Sequence, residues 1–283
     1  MTINNKKNAS LLIIFISIPL MISVIYSITP AVIPSETFTG QITFMTYNIH
    51  FGVGMDDKLD LARIVQNILV GDPDIIGLQE VETGRITSEG VDMAMWLAKS
   101  LGMYYYYYPA VNEAGFGVTI LSRYQIRNIT TYDLPALKLE RVLLHADVIL
   151  NSTFVLDVFV THLGLEDDNT TAQIEFILDK TNKVNGPKIL MGDFNLNDTT
   201  NQIKNVTNFS VTHFNDTQKD FGSSGDTYPA YPSPYPGNRV DYIFASNFTA
   251  IINSKVVSDM IPGIHVPWEF GSDHLPVITT LQY

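Results

Sequence analysis

Short apolar runs, most of them closing on an acid, an amide or an imidazole, constrain this chain more than any other feature. Residues 42–49, 75–79, 117–121, 142–150, 153–161, 188–191, 239–244 and 276–281 are too short for ordinary helices. Several are too apolar for strands with one wet face, so they predict strands buried on both sides. Residues 59–69 carry apolar side chains at 61, 64, 65 and 68, which is helical spacing, and stop at Gly71-Asp72-Pro73. Residues 91–101 read as a second helix closed by Gly102, and residues 171–184 as a third. The tyrosines at 104–108 read as an amphipathic strand with alternate rings buried. Residues 228–238 and 261–270, broken by proline and glycine, read as exposed loops. Many strands with a few interspersed helices predict an α/β fold, a two-sheet β-sandwich flanked by helices.

The N-terminal 34 residues carry two charges, Lys6 and Lys7, and residues 11–33 carry none. About 20 apolar residues in a helix cross a bilayer core, so this run reads as one N-terminal transmembrane helix. A cleaved signal peptide is the competing reading. Either one leaves Lys6 and Lys7 inside and exports the rest. The expected organisation is residues 1–34 as anchor or signal and residues 35–283 as one monomeric extracytoplasmic domain. It would be single-pass in a membrane, or secreted if cleaved. Sequons at Asn128, Asn151, Asn169, Asn197, Asn205, Asn208, Asn215 and Asn247 fit a glycosylated outer surface, and equally an Asn- and Thr-rich composition.

Cysteine is absent, which removes disulfide scaffolds, cysteine-ligated zinc, iron–sulfur clusters and thiol nucleophiles. Any metal must sit among Asp, Glu, Asn and His, a donor set that suits magnesium or manganese. Seventeen basic residues against 29 acidic ones give a net charge of -12, which disfavours a nucleic-acid coat protein. No Walker motif, nucleophile elbow or HExxH helix is present.

The polar residues gather where the apolar runs end: Asn48 and His50, Glu80 and Glu82, His162, Asp193 and Asn195, Asp241, and Asp273 with His274. Acids and imidazoles are poor guests in a strand core unless paired, so their recurrence at strand lips predicts one shared site. YNIHFG, LQEVE, THLG, GDFN, RVDYIF and SDHLPV, in that order across residues 42–281, resemble the endonuclease/exonuclease/phosphatase superfamily of DNase I-like enzymes. DMAMWLAKSLG, GVTILSRYQI and FVTHLGLEDD are similar to the C-terminal domain of eukaryotic proteins that remodel GPI-anchor lipid. Those relatives often carry an eroded GDFN motif, whereas here it is intact.

The resemblance implies a DNase I-like fold and magnesium- or manganese-dependent hydrolysis of a phosphoester. The expected substrate is a membrane lipid or glycolipid, with nucleic acid the alternative and a non-catalytic lipid-binding module the third reading. Glu80, Asn48 and Asp273 would serve the metal, and Asp193 would orient or deprotonate the attacking water. Asn195 and the imidazoles of His162 and His274 would face the phosphate. Asp241 would hold His274, or else pair with Arg239. His50, His145, His213 and His265 read as structural. Trp268 and Phe270 would contact the membrane beside the site, or else cap the sandwich core.

Overall fold

Alternation along the strands explains why they are apolar on both faces. The computed structural model describes residues 36–110, 115–165, 169–208, 211, 213–223, 225–230, 237–258 and 269–283. One sheet is ordered β11 (Ala250–Val256), β12 (Val277–Gln282), β1 (Gln41–Asn48), β2 (Ile75–Glu82), β4 (Phe116–Ser122) and β3 (Tyr104–Pro109). The other is ordered β5 (Gln125–Leu134), β6 (Arg141–Ile149), β7 (Val155–His162), β8 (Lys188–Asp193), β10 (Asp241–Ser246) and β9 (Asn215–Asp216). Ile42, Phe44, Val158, Val160, Ile189, Met191 and Ile243 meet between the sheets. Residues one position along, such as Met45, Tyr47, Phe159, Leu190 and Tyr242, turn outward into two helix-covered cores. A Cβ on Gly77 would lie 2.9 Å from Val160 Cγ2, so the sheets approach there too closely for a side chain.

The helices α1 (Leu61–Gly71) and α2 (Met93–Leu101) pack outside the first sheet; α3 (Thr170–Thr181) and α4 (Asn201–Asn208) pack outside the second. Asp60 caps α1 by accepting the Arg63 N–H at 3.0 Å, and Asp92 caps α2 by accepting the Met95 N–H at 2.9 Å. Left-handed Asp72 and Gly102 close the two helices at the stops the sequence predicts. The expected α/β sandwich flanked by helices is present. In β3, Tyr106 and Tyr108 pack toward the inter-sheet core, Tyr107 packs on the helix side, and Tyr105 is exposed.

Two expectations are corrected. Among the described residues no helix is long and apolar enough to cross a membrane, so the single-pass placement finds no support there. The charge-free run at 11–33 lies outside the described residues. Phe270, expected as a membrane contact, is 1% exposed and belongs to the core beneath α1. Its carbonyl accepts the Met55 N–H at 3.2 Å, which fixes it inward. Trp268 lies outside the described residues.

Candidate active site

Strand direction gathers the lip residues. β1 runs parallel to β2, and β7 to β8, so each pair of strands ends on one side. β10 and β12 run antiparallel to β8 and β1, so their beginnings arrive where those strands end. Register sets His162 beside Asp193 and Asp193 beside Asp241. Gly192 permits this closeness: a Cβ there would lie 2.0 Å from the Thr161 carbonyl oxygen. Glu80 has φ +57° at a shift in the β2–β4 register between Leu78 and Val81. A non-glycine residue in that conformation is strained, and a bulge of this kind re-aims its side chain, here into the cleft.

Asp193 is the centre. Its Oδ2 accepts from Asn48 Nδ2 at 2.9 Å and lies 3.5 Å from His162 Nε2 and 3.7 Å from His274 Nε2. Its Oδ1 accepts the Asn195 N–H at 2.8 Å. Burial, then the charge of Asp241, raises its pKa above the usual carboxylate range, with His274 pulling the other way. His274 Nδ1 donates to Asp241 Oδ2 at 2.9 Å. Burial disfavours its imidazolium, but the charges of Asp241 and Asp193 outweigh that and push His274 up to about 10. The backbone around it is pinned: the His274 N–H donates to Ser272 Oγ at 3.1 Å, and Ser272 Oγ donates to the Asn48 carbonyl at 2.7 Å.

Arg239, the other candidate partner of Asp241, is engaged elsewhere. Its guanidinium pairs with Asp216, Nη1 to Oδ2 at 2.8 Å, and Nε donates to Gln218 Oε1 at 2.9 Å. Both members of this ion pair are buried. Asp216→Ala is expected to cost about 3 kcal/mol, because it strands a buried guanidinium without its carboxylate. Urea unfolding checks this, and a loss below about 1 kcal/mol would mean that Gln218 and water suffice.

These groups line a cleft of about 550 Å³. Glu80 and Asp273 open onto it as half-buried carboxylates. Asn48 sits between the carboxylates. Its amide oxygen accepts the His50 N–H at 3.0 Å, while its nitrogen donates to Glu80 Oε1 at 3.1 Å. Its nitrogen therefore holds the carboxylates, and its oxygen keeps a second lone pair. Asp241 Oδ1 is buried with no hydrogen-bond partner among the described residues. Four carboxylates at one end of the sandwich leave negative charge uncompensated, and hard oxygens at Glu80 and Asp273 fit a divalent cation.

Other cleft residues were given no role in the site by the sequence. Arg141, at the start of β6, lies 3.2 Å through Nη1 from His162 Nδ1. His50 lines the cleft, and the Tyr228 ring sits 4.7 Å from that of His274. Phe51, Leu139 and Leu165 form an apolar border. His145 lies away from the cleft, paired with Asp157 at 2.7 Å and stacked on Phe159.

A family model described as "Endonuclease/Exonuclease/phosphatase family" matches residues 45–274. Protein cwh43 of Schizosaccharomyces pombe is 31% identical over 140 residues, which cover 49% of this chain but only 14% of that relative. An endonuclease/exonuclease/phosphatase from Beutenbergia cavernae superposes with a TM-score of 0.66 at 24% identity, over 86% of this chain and 71% of the other. A mannosyl-6-phosphatase from Bacteroides thetaiotaomicron superposes with a TM-score of 0.68 at 19% identity, over 86% and 100%. At these identities the two structures speak for the fold.

Proposed function

Because this chain belongs to the endonuclease/exonuclease/phosphatase family, we propose that it is a divalent-metal-dependent phosphoric ester hydrolase acting on a lipid-linked, GPI-like phosphoester. The observation that carries the hydrolase reading is the seat of Asp193. It is a buried carboxylate at the floor of an open cleft, with imidazole nitrogens at 3.5 and 3.7 Å. Asp193 orients the attacking water and takes its proton, a role that a raised pKa suits. His274, positive and steadied by Asp241, neutralises charge growing on the phosphoryl group. His162 and Asn195 offer N–H groups on the other flank. Glu80 and Asp273 would hold magnesium or manganese, with Asn48 fixing Glu80; the ion would polarise the phosphoryl oxygens.

Two features favour a lipid-linked substrate over a polymer. The sequence resembles GPI-lipid remodelling domains, with cwh43 matching half of this chain. The cleft border exposes leucine, with Leu139 54% and Leu165 59% accessible, where a nucleic-acid site would carry cations. A hydrolysis panel with magnesium, spanning DNA, RNA, sphingomyelin, phosphoinositides, a GPI-like lipid and bis(p-nitrophenyl) phosphate, tests the reading. The GPI-like lipid is expected to turn over best. Leu139→Ser with Leu165→Ser should lower the preference for it over the chain-free diester by about 100-fold, since covering each leucine is worth ~1.5–3 kcal/mol. Preferred cleavage of DNA, or an unchanged preference in the double variant, would refute the lipid assignment.

A further inference from the structure

The proton of His162 is placed by a side chain outside every sequence motif. The His162 Nδ1 lies 3.2 Å from Arg141 Nη1. A guanidinium carries five N–H donors, no acceptor, and does not lose its proton in proteins. Nδ1 must therefore accept, and the single proton of the neutral ring sits on Nε2, facing Asp193 and the cleft. Asn195 Nδ2, anchored on the Leu163 carbonyl at 3.0 Å, lies 3.1 Å from that same Nε2. Two N–H donors thus converge on one point, and the Asp193 oxygen at 3.5 Å is too distant to satisfy both. An incoming oxygen that carries negative charge resolves the conflict by accepting from each.

We infer that Arg141 is a positioning residue: it locks His162 as the Nε2–H tautomer, so that His162 and Asn195 form a two-donor seat for one phosphoryl oxygen. This rests on the phosphoester reading above, although the tautomer itself does not. Geometry and electrostatics agree. Arg141 is 7% exposed, its backbone pairs with Leu134 of β5, and its buried head lies against His162. The titratable groups facing His162 are Arg141 from β6, Asp193 from the end of β8, and His274 from the segment before β12. Burial, Arg141 and His274 together drive the His162 pKa well below its ordinary value. The two histidines therefore differ: His274 carries charge beside Asp241, and His162 stays a neutral donor beside Arg141.

The test is nitrogen NMR of the ¹⁵N-histidine-labelled protein, with bis(p-nitrophenyl) phosphate turnover alongside. The wild-type His162 ring should show an unprotonated Nδ1 and a protonated Nε2 from pH 5 to 9. Arg141→Met should release the lock, giving mixed tautomers and protonation near ordinary pH, with kcat lower by about 10- to 100-fold and KM little changed. Arg141→Lys keeps a donor and should restore the tautomer. A wild-type proton on Nδ1 would overturn the proposal without any variant, and so would an Arg141→Met protein with an unchanged ring pattern. With magnesium present, inorganic phosphate should shift the Nε2–H and Asn195 side-chain resonances. If the tautomer is as expected but phosphate shifts neither and no diester is cleaved, the two-donor seat and the hydrolase reading fail together, and Arg141 keeps only its hold on the ring.

Discussion

Asp193→Asn is expected to lower hydrolysis of any phosphoester this chain turns over by about 10³-fold or more, while the protein stays folded. The substitution keeps the shape and the Oδ1 that accepts the Asn195 N–H at 2.8 Å, and removes the base. Water positioned without a proton acceptor in the transition state forfeits both its orientation and the driving force of transfer, which compounds the loss. Stability moves in a different direction. The buried charge of Asp193 is disfavoured by burial and by Asp241, so removing it relieves the fold, whereas the amide nitrogen now opposes Asn48 Nδ2. The two nearly cancel, and the melting temperature should stay within roughly 3 °C of wild type. Steady-state kinetics and calorimetry on the same preparation separate the outcomes. Wild-type turnover in a folded variant would take Asp193 out of the chemistry, and a collapse in melting temperature would make the motif structural.

How much of this site could be read in the chain depended on whether position or only type carried the information. Asn48, Glu80, His162, Asp193 and Asp241 stand at strand ends, and a strand end is legible because an apolar run stops there. Parallel β1–β2 and β7–β8 pairs then bring those ends to one place without any further instruction. Arg141 escaped because it opens a largely apolar strand and stands outside every motif. Only the β6–β7 pairing shows that it faces His162. The bonds of Asn48 escaped for another reason: residue type offers both an oxygen and a nitrogen, and only the fold brings the nitrogen to Glu80 and Asp193.

The parts of the fold that were not anticipated share a cause. β5 (Gln125–Leu134) is polar and largely exposed at the edge of its sheet, so it lacks the alternation that marks a half-buried strand. β11 is an edge strand interrupted between Ile251 and Asn253, and α4 and α5 (Thr217–Phe221) are short. Phe270 was ambiguous in a deeper sense. An aromatic next to proline and glycine suits a membrane boundary and a core plug equally well. The packing of Gly271 against α1, where a Cβ would lie 2.7 Å from Ile64 Cδ1, draws it inward.

Chelation is the second large effect expected. Exhaustive treatment with EDTA should reduce hydrolysis to about 1% or less of the untreated rate, and magnesium or manganese should restore it. The reason lies in the charge of the cleft: Glu80, Asp193, Asp241 and Asp273 crowd one end of the sandwich, and a second dianionic or monoanionic group cannot enter that field unaided. A readout independent of turnover exists, because a ligand that binds only the native state raises its melting temperature by mass action. Added magnesium should therefore stabilise the EDTA-treated protein, and Glu80→Gln should blunt that response and weaken apparent magnesium affinity by roughly 10-fold or more. Asn48 anchors Glu80 Oε1 at 3.1 Å, so Asn48→Ala should weaken it too, and by less, since the carboxylate remains. Activity that survives complete chelation, with no metal found by mass spectrometry, would leave His274 and Arg141 as the counter-charges and overturn the role given to Glu80 and Asp273. Turnover lost to EDTA but a melting temperature indifferent to magnesium would place the ion on the substrate and not in the free protein.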